Sequence, residues 1–122
     1  MNHALLKRKT MEIMAHHRGP ENALKRDELL FLLSVWDGDL YAMMEKDRGN
    51  ADRAVRRLYA SLPVASSDNG LYVCRTPEEL AEFKDYMTRA YGRERAYARV
   101  KIILAYYPGL AMDSMKQQDL GI

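Results

Sequence analysis

A single cysteine, Cys74, in 122 residues excludes an internal disulfide and fits a reducing compartment. Lying within a strand-like run, that thiol reads as a small buried apolar residue. Apolar stretches are short, and none approaches the ~18 residues a membrane span requires. The basic run Lys7-Arg8-Lys9 is followed by no signal-peptide core, so a cytoplasmic protein with no membrane partner is expected. Excess charge of one sign is also scarce. Nineteen basic and 17 acidic side chains leave +2, which is too mild to demand a polyanionic partner unless the positive charge gathers on one face.

The groups that mark common chemistries are missing too. The three histidines are His3, His16 and His17; the adjacent pair would point about 100° apart on a helix, and Cys74 is far along the chain. No metal-ligand spacing results. There is no glycine-rich phosphate loop and no nucleophile elbow. Glu78-Glu79-Glu82 and Asp37-Asp39 have helix-start and loop explanations. No catalytic residue, metal or cofactor is expected, and the chain reads as a non-enzyme.

What is present is a core and an ordered series of elements. Hydrophobic residues make up 48% of the chain, enough for one packed domain. Residues 2–17 read as a first helix, with Leu6, Ile13, Met14 and His17 on one side, stopped by Gly19-Pro20. Ala23-Leu24 can form a short extended stretch. Leu29, Leu33, Trp36, Leu40 and Met43 then recur at helical spacing, interrupted by Gly38, which favours two helices over 27–36 and 39–47. Trp36 reads as a core anchor, and Tyr59, Tyr86, Tyr91 and Tyr97 as core packing.

Gly49-Asn50 reads as a break, with Asn50 capping a helix over Asn50–Leu62 that Pro63 ends. Ala51, Ala54, Val55, Leu58 and Leu62 form its apolar stripe. Val64–Ser67 and Leu71–Arg75 are strand-like, and Asp68-Asn69-Gly70 between them signals a hairpin with a type I′ turn. Alternation does not say which hairpin face is buried, since Leu71 and Val73 compete with Tyr72 and Cys74. Thr76-Pro77-Glu78-Glu79 is a strong helix start, with Thr76 as cap and Glu79 completing a capping box.

The pattern Leu80, Phe83, Met87, Ala90, Tyr97, Leu104 runs to Tyr107 before Pro108-Gly109, with Gly92 able to divide or bend it. Unbroken, that helix would be about 46 Å long and would offer a homodimer seam through residues 77–107. Residues 108–122 read as a flexible tail carrying Leu110, Met112, Met115 and Leu120. The expected organisation is a winged-helix domain over 1–76, a C-terminal helix over 77–107 and a tail over 108–122.

Helices followed by a β-hairpin give a mainly α (α+β) winged helix-turn-helix. The run Asp52-Arg53-Ala54-Val55-Arg56-Arg57, the segment Pro63-Val64-Ala65-Ser66 leading to Gly70-Leu71-Tyr72, and Thr76-Pro77-Glu78-Glu79-Leu80 carry a resemblance over about residues 20–92. They look like the recognition helix, wing and following helix of phage- and prophage-type winged-helix DNA-binding proteins. The resemblance implies double-stranded DNA as partner and a regulatory or accessory role exercised by occupancy.

The residues support the same expectation directly. Arg53, Arg56 and Arg57 stand at i, i+3 and i+4, so they share a helix face roughly opposite the apolar stripe. Guanidinium groups there suit phosphates and guanine edges, and Asn50 suits a phosphate or an adenine edge. Ser67, Asn69 and Arg75 on or beside the wing suit backbone or minor-groove contact. A winged helix used for protein contact is the alternative. Compact helix-turn-helix units have a turn of about 3–4 residues, whereas Ser34–Gly49 is longer. Either the second helix is Asp39–Asp47, with Asp27–Trp36 added, or the stretch is an insertion.

Overall fold

The computed structural model describes residues 1–111, a mainly helical chain with one two-stranded antiparallel sheet. Helix α1 spans His3–Met14, capped by Asn2, whose side chain accepts from the Leu5 amide at 3.0 Å. It ends three residues earlier than the sequence pattern suggests. Thr10 lies on its buried side with Leu6 and Met14, made tolerable by a 2.7 Å bond from its hydroxyl to the Leu6 carbonyl.

Two short helices follow, as expected: α2, Arg26–Ser34, and α3, Gly38–Lys46. Asp37, the last of the three residues between them, caps α3. Its carboxylate accepts from the Leu40 amide at 3.0 Å and the Asn2 amide at 2.9 Å, tying the start of α3 to the start of α1. Burial opposes the charge of Asp37, yet these amide bonds hold its pKa below the ordinary value. Trp36 is not a core anchor: it is 53% exposed, because α2 ends at Ser34 and its buried stripe is Leu29, Leu30 and Leu33.

Helix α4 runs Arg48–Ala60 and is capped by Asp47, not Asn50. Gly49 therefore lies inside the first turn rather than at a break. Asp47 alone joins α3 to α4, a junction shorter than an ordinary helix-turn-helix turn. Ala51, Val55, Leu58 and Tyr59 are the buried residues of α4. Ala54 is half-buried, and Leu62 is buried beyond the helix end.

The hairpin pairs β1, Ala65–Ser67, with β2, Gly70–Tyr72, in the register Ala65↔Tyr72 and Ser67↔Gly70. The connecting residues are thus Asp68 and Asn69, and neither has positive φ, so the type I′ turn does not form. The positive φ falls on Gly70, at +130°. The segment before α2 lies along the free edge of β2. Leu24 and Leu71 exchange two 2.8 Å backbone bonds, and Gly19 and His17 bond Val73 at 2.9 Å each. The extended stretch expected at Ala23-Leu24 is therefore the third strand-like element of the wing.

Both hairpin faces are buried. Leu71 and Val73 belong to the core shared with α1–α4, while Ala65, Tyr72 and Cys74 close a second core against the C-terminal helices. Burial pushes the Cys74 thiol up to about 12 and raises the Tyr72 phenol further, so both stay neutral.

The second core exists because the long helix does not. Gly92, at φ +94°, divides it into α5, Pro77–Tyr91, and α6, Arg93–Tyr106, which fold back on each other. Leu80, Phe83 and Met87 of the expected dimer seam are spent inside the chain, against Ala96, Val100 and Ile103. A 3-10 turn at Pro108–Leu110 buries Leu110 in the same core, so these residues are not the flexible tail expected from the sequence. Met112, Met115 and Leu120 lie outside the described residues. Among the described residues no helix is long and apolar enough to cross a membrane.

Thr76 caps α5 as expected, accepting from the Glu79 amide at 3.2 Å. The Glu79 carboxylate reaches the Arg75 amide, one residue before the cap, and also the Arg75 guanidinium at 2.7 Å. Arg75 further pairs with Glu21 at 2.6 Å, clasping the turn after α1 to the start of α5. The Arg75 guanidinium, opposed by partial burial, holds the Glu79 carboxyl below its ordinary 4.5. A carboxyl with a depressed folded-state pKa stabilises above its unfolded value and ceases to do so as pH falls through the folded one. Urea midpoints should therefore drop below about pH 4.5 through this pair, and Glu79→Gln should flatten that part of the profile while lowering stability at pH 7.

Candidate nucleic-acid interface

The exposed side of α4 carries a chain of polar contacts starting at its cap. Asp47 accepts from the Asn50 amide at 3.1 Å and from its side-chain Nδ2 at 2.8 Å, and Asn50 Oδ1 in turn accepts from Arg53. Asn50 is thus not the cap but the link that orients Arg53. Arg56 pairs with Asp52 at 3.1 Å, one helical turn back. Arg57 is exposed and has no polar partner among the described residues. The three arginines do share the outward face, opposite Ala51, Val55 and Leu58. Exposed pairs of this kind hold an arginine weakly, so a phosphate can replace the carboxylate at little cost.

Beside α4, the hairpin, the start of α2 and the end of α5 enclose a groove of about 270 Å³. Ser66, Ser67, Arg26, Tyr59 and Tyr91 contribute to its lining. Arg26 lies at the start of α2, where no side chain caps the helix and the dipole favours an anion. Partial burial opposes its charge, but the Tyr59 hydroxyl and the nearby Asp52 hold the pKa above the ordinary value. Asp52 is thus an acidic neighbour of both Arg56 and Arg26.

The wing contributes less than expected. Ser67 Oγ accepts from the Asn69 amide at 3.2 Å and closes the turn, leaving the Asn69 side chain exposed. An exposed carboxylate, Asp68, sits beside it and opposes contact with phosphate. Arg75 does not join the site: the clasp between Glu21 and Glu79 occupies it at the far end of the hairpin.

Three cations near this surface were not anticipated. Lys25 and Arg26 precede the helix expected from residue 27, and Arg48 follows the one expected to end at 47; Arg48 stands in the first turn of α4, 3.8 Å from Asp27. The adjacency of Lys25 and Arg26 to an uncapped helix was the available signal. Counting Lys25, Arg26, Arg48, Arg53, Arg56 and Arg57 against Asp27, Asp47, Asp52 and Asp68 leaves a small positive excess. A polyanion held here needs shape and directed contacts as well as charge.

The tyrosines divide. Tyr59 is buried and Tyr86 half-buried, as core packing requires, but Tyr91 and Tyr97 are 54% and 37% exposed. The guanidinium of Arg99 donates to the Val64 carbonyl at 2.6 Å, and its buried Nε has no partner among the described residues. It faces the rings of Phe83 and Tyr59 at 5.3 and 5.8 Å. Burial lowers the Arg99 pKa.

Compared with known proteins, the chain matches no family model, no curated protein and no solved structure.

Proposed function

We propose that this protein binds double-stranded DNA, with α4 entering the major groove and the wing resting on the backbone. The carrying observation is the common outward face of Arg53, Arg56 and Arg57, set opposite the buried stripe of the same helix. Asn50 orients Arg53 toward a base edge or phosphate, and Arg26 at the start of α2 takes a flanking phosphate. Ser67 and Asn69 supply the wing contacts. The role is regulation or accessory action by occupancy, of the phage or mobile-element type, in the cytoplasm and without a cofactor. A homodimer through residues 77–107 would use only what α5 and α6 leave outside, chiefly Tyr91, Tyr97 and Tyr106. One observation favours the protein-contact alternative, the exposed apolar face of α2.

The triple variant Arg53→Ala, Arg56→Ala, Arg57→Ala tests the proposal by mobility shift on mixed genomic DNA. Wild type should give a shift that weakens steeply between about 50 and 200 mM salt. The variant should bind on the order of 100-fold or more weaker, with a shallower salt slope and an unchanged far-UV spectrum. An undiminished shift in the variant, or none for wild type at low salt, sinks the reading.

A further inference from the structure

Tyr59, Tyr86 and Tyr91 all line the groove between the hairpin, the start of α2 and the end of α5, and the DNA contacts of α4 use none of them. The groove's volume of about 270 Å³ lies near the roughly 300 Å³ at which small-ligand pockets begin. That is room for one small ring-bearing molecule. The polar groups there stand close enough to act on one another: Tyr59 and Tyr91 on Arg26, and all three of these on Tyr86. Partial burial raises the Tyr86 pKa, so its hydroxyl stays a neutral donor. Tyr91, the last residue of α5, lines this concave surface while remaining half in water, which leaves its ring a face for stacking.

Arg26 is half-buried, and among the described residues it has no ion pair. The carboxylate next to it in the chain, Asp27, lies 3.8 Å from Arg48, and Asp52 pairs with Arg56 at 3.1 Å. A guanidinium left facing phenols presents a fork that a phosphate matches with two oxygens. The rest of the lining limits what carries that phosphate. Lys25 and Arg26 are balanced there by Asp27 and Asp68, so a polyanion gains little from the groove as a whole. A ligand with one anionic group, a planar ring and hydroxyls suits it better. Its phosphate meets Arg26, its ring meets Tyr91, and its hydroxyls find acceptors in the carboxylates and in Ser66.

We infer that this groove binds a nucleoside monophosphate, with the phosphate on Arg26 and the base stacked on Tyr91. The inference does not rest on DNA binding by α4. A nucleotide unit has two sources, the free molecule and DNA itself, but a base paired within a duplex is already stacked and cannot lie on Tyr91. Where DNA is also bound, the nucleotide and a flanking phosphate exclude one another at Arg26.

Titration calorimetry of the full chain with AMP, GMP, CMP and UMP, and with the nucleosides and inorganic phosphate, tests the site. At least one nucleotide should bind with a Kd on the order of 100 µM, about 10-fold or more tighter than either of its fragments. Arg26→Gln and Tyr91→Ala should each weaken that nucleotide about 10-fold or more, and Tyr91→Phe, which keeps the ring, should bind as wild type does. Tyr91→Ala should leave the shift of duplex DNA unchanged; an equal loss there would overturn the free nucleotide as the source. Saturating nucleotide should weaken the duplex shift, and an unchanged shift would overturn the shared use of Arg26. The Arg53, Arg56, Arg57 variant should bind the nucleotide undiminished, so the two proposals fail separately. No binding of any of the four nucleotides up to about 5 mM overturns the inference, as does binding that Arg26→Gln or Tyr91→Ala leaves unweakened.

Discussion

Gly70→Ala is expected to cost about 3–5 kcal/mol, a large part of the stability of a domain this size. Two terms add. Gly70 has φ +130°, a conformation side chains rarely adopt, and strain of this type costs about 1–3 kcal/mol. A Cβ there would also stand 2.4 Å from the Leu24 carbonyl oxygen and 2.8 Å from its carbon. Both are backbone atoms, so relief requires the segment to move off β2. Moving it breaks the two 2.8 Å bonds between Leu24 and Leu71, at roughly 0.5–1.5 kcal/mol each. Gly92→Ala is the control. Its φ is +94° with ψ 167°, but a Cβ there meets nothing within 4 Å, so only a conformational cost of about 1–3 kcal/mol remains. Urea midpoints for the two variants, compared at equal slope, separate the terms. Equal losses would show that the close approach of Leu24 contributes nothing.

This glycine also shows why the hairpin was legible while its turn was not. Asn69-Gly70 between two strand-like runs signals a reversal, and a reversal is there. The positive φ a type I′ turn would place at both residues occurs only at Gly70, where the neighbouring segment, distant in sequence by more than forty residues, demands a missing side chain. The separate helices around Gly38, the extended stretch at Leu24 and the Thr76 cap were legible because each rests on local chemistry. The start of α4 was obscured because Asn50 and Asp47 are both competent caps, and Gly49 between them looked like the end of something rather than the second residue of a helix.

Alternation could not settle the hairpin's inner face because both faces are inside. Periodicity could not reveal the bend at Gly92 either, since the apolar spacing continues across it. For the candidate site, helical spacing alone placed the three arginines of α4 correctly. It could not show that Arg75, adjacent to the same wing, is claimed by carboxylates contributed from either side of it in sequence, Glu21 and Glu79.

The second large effect concerns Phe83, fully buried where α5 meets α6. Phe83→Ala should cost about 3–5 kcal/mol, the range for losing a buried ring and leaving its cavity. The more informative change is Phe83→Leu, which keeps most of the volume and removes the aromatic face. That face is part of what compensates the Arg99 guanidinium 5.3 Å away, since among the described residues one Arg99 nitrogen bonds the Val64 carbonyl and its Nε has no partner. A buried cation with so few hydrogen bonds depends on the rings around it, and a desolvated cation–π contact supplies about 2 kcal/mol. Phe83→Leu should therefore cost about that much beyond its packing loss in wild type, and much less in an Arg99→Met background, where no charge remains to be faced. The double-mutant cycle, read from urea midpoints, should give a coupling of about 1–2 kcal/mol. A coupling indistinguishable from zero would mean that Phe83 serves Arg99 as volume alone, leaving Tyr59 to face the charge.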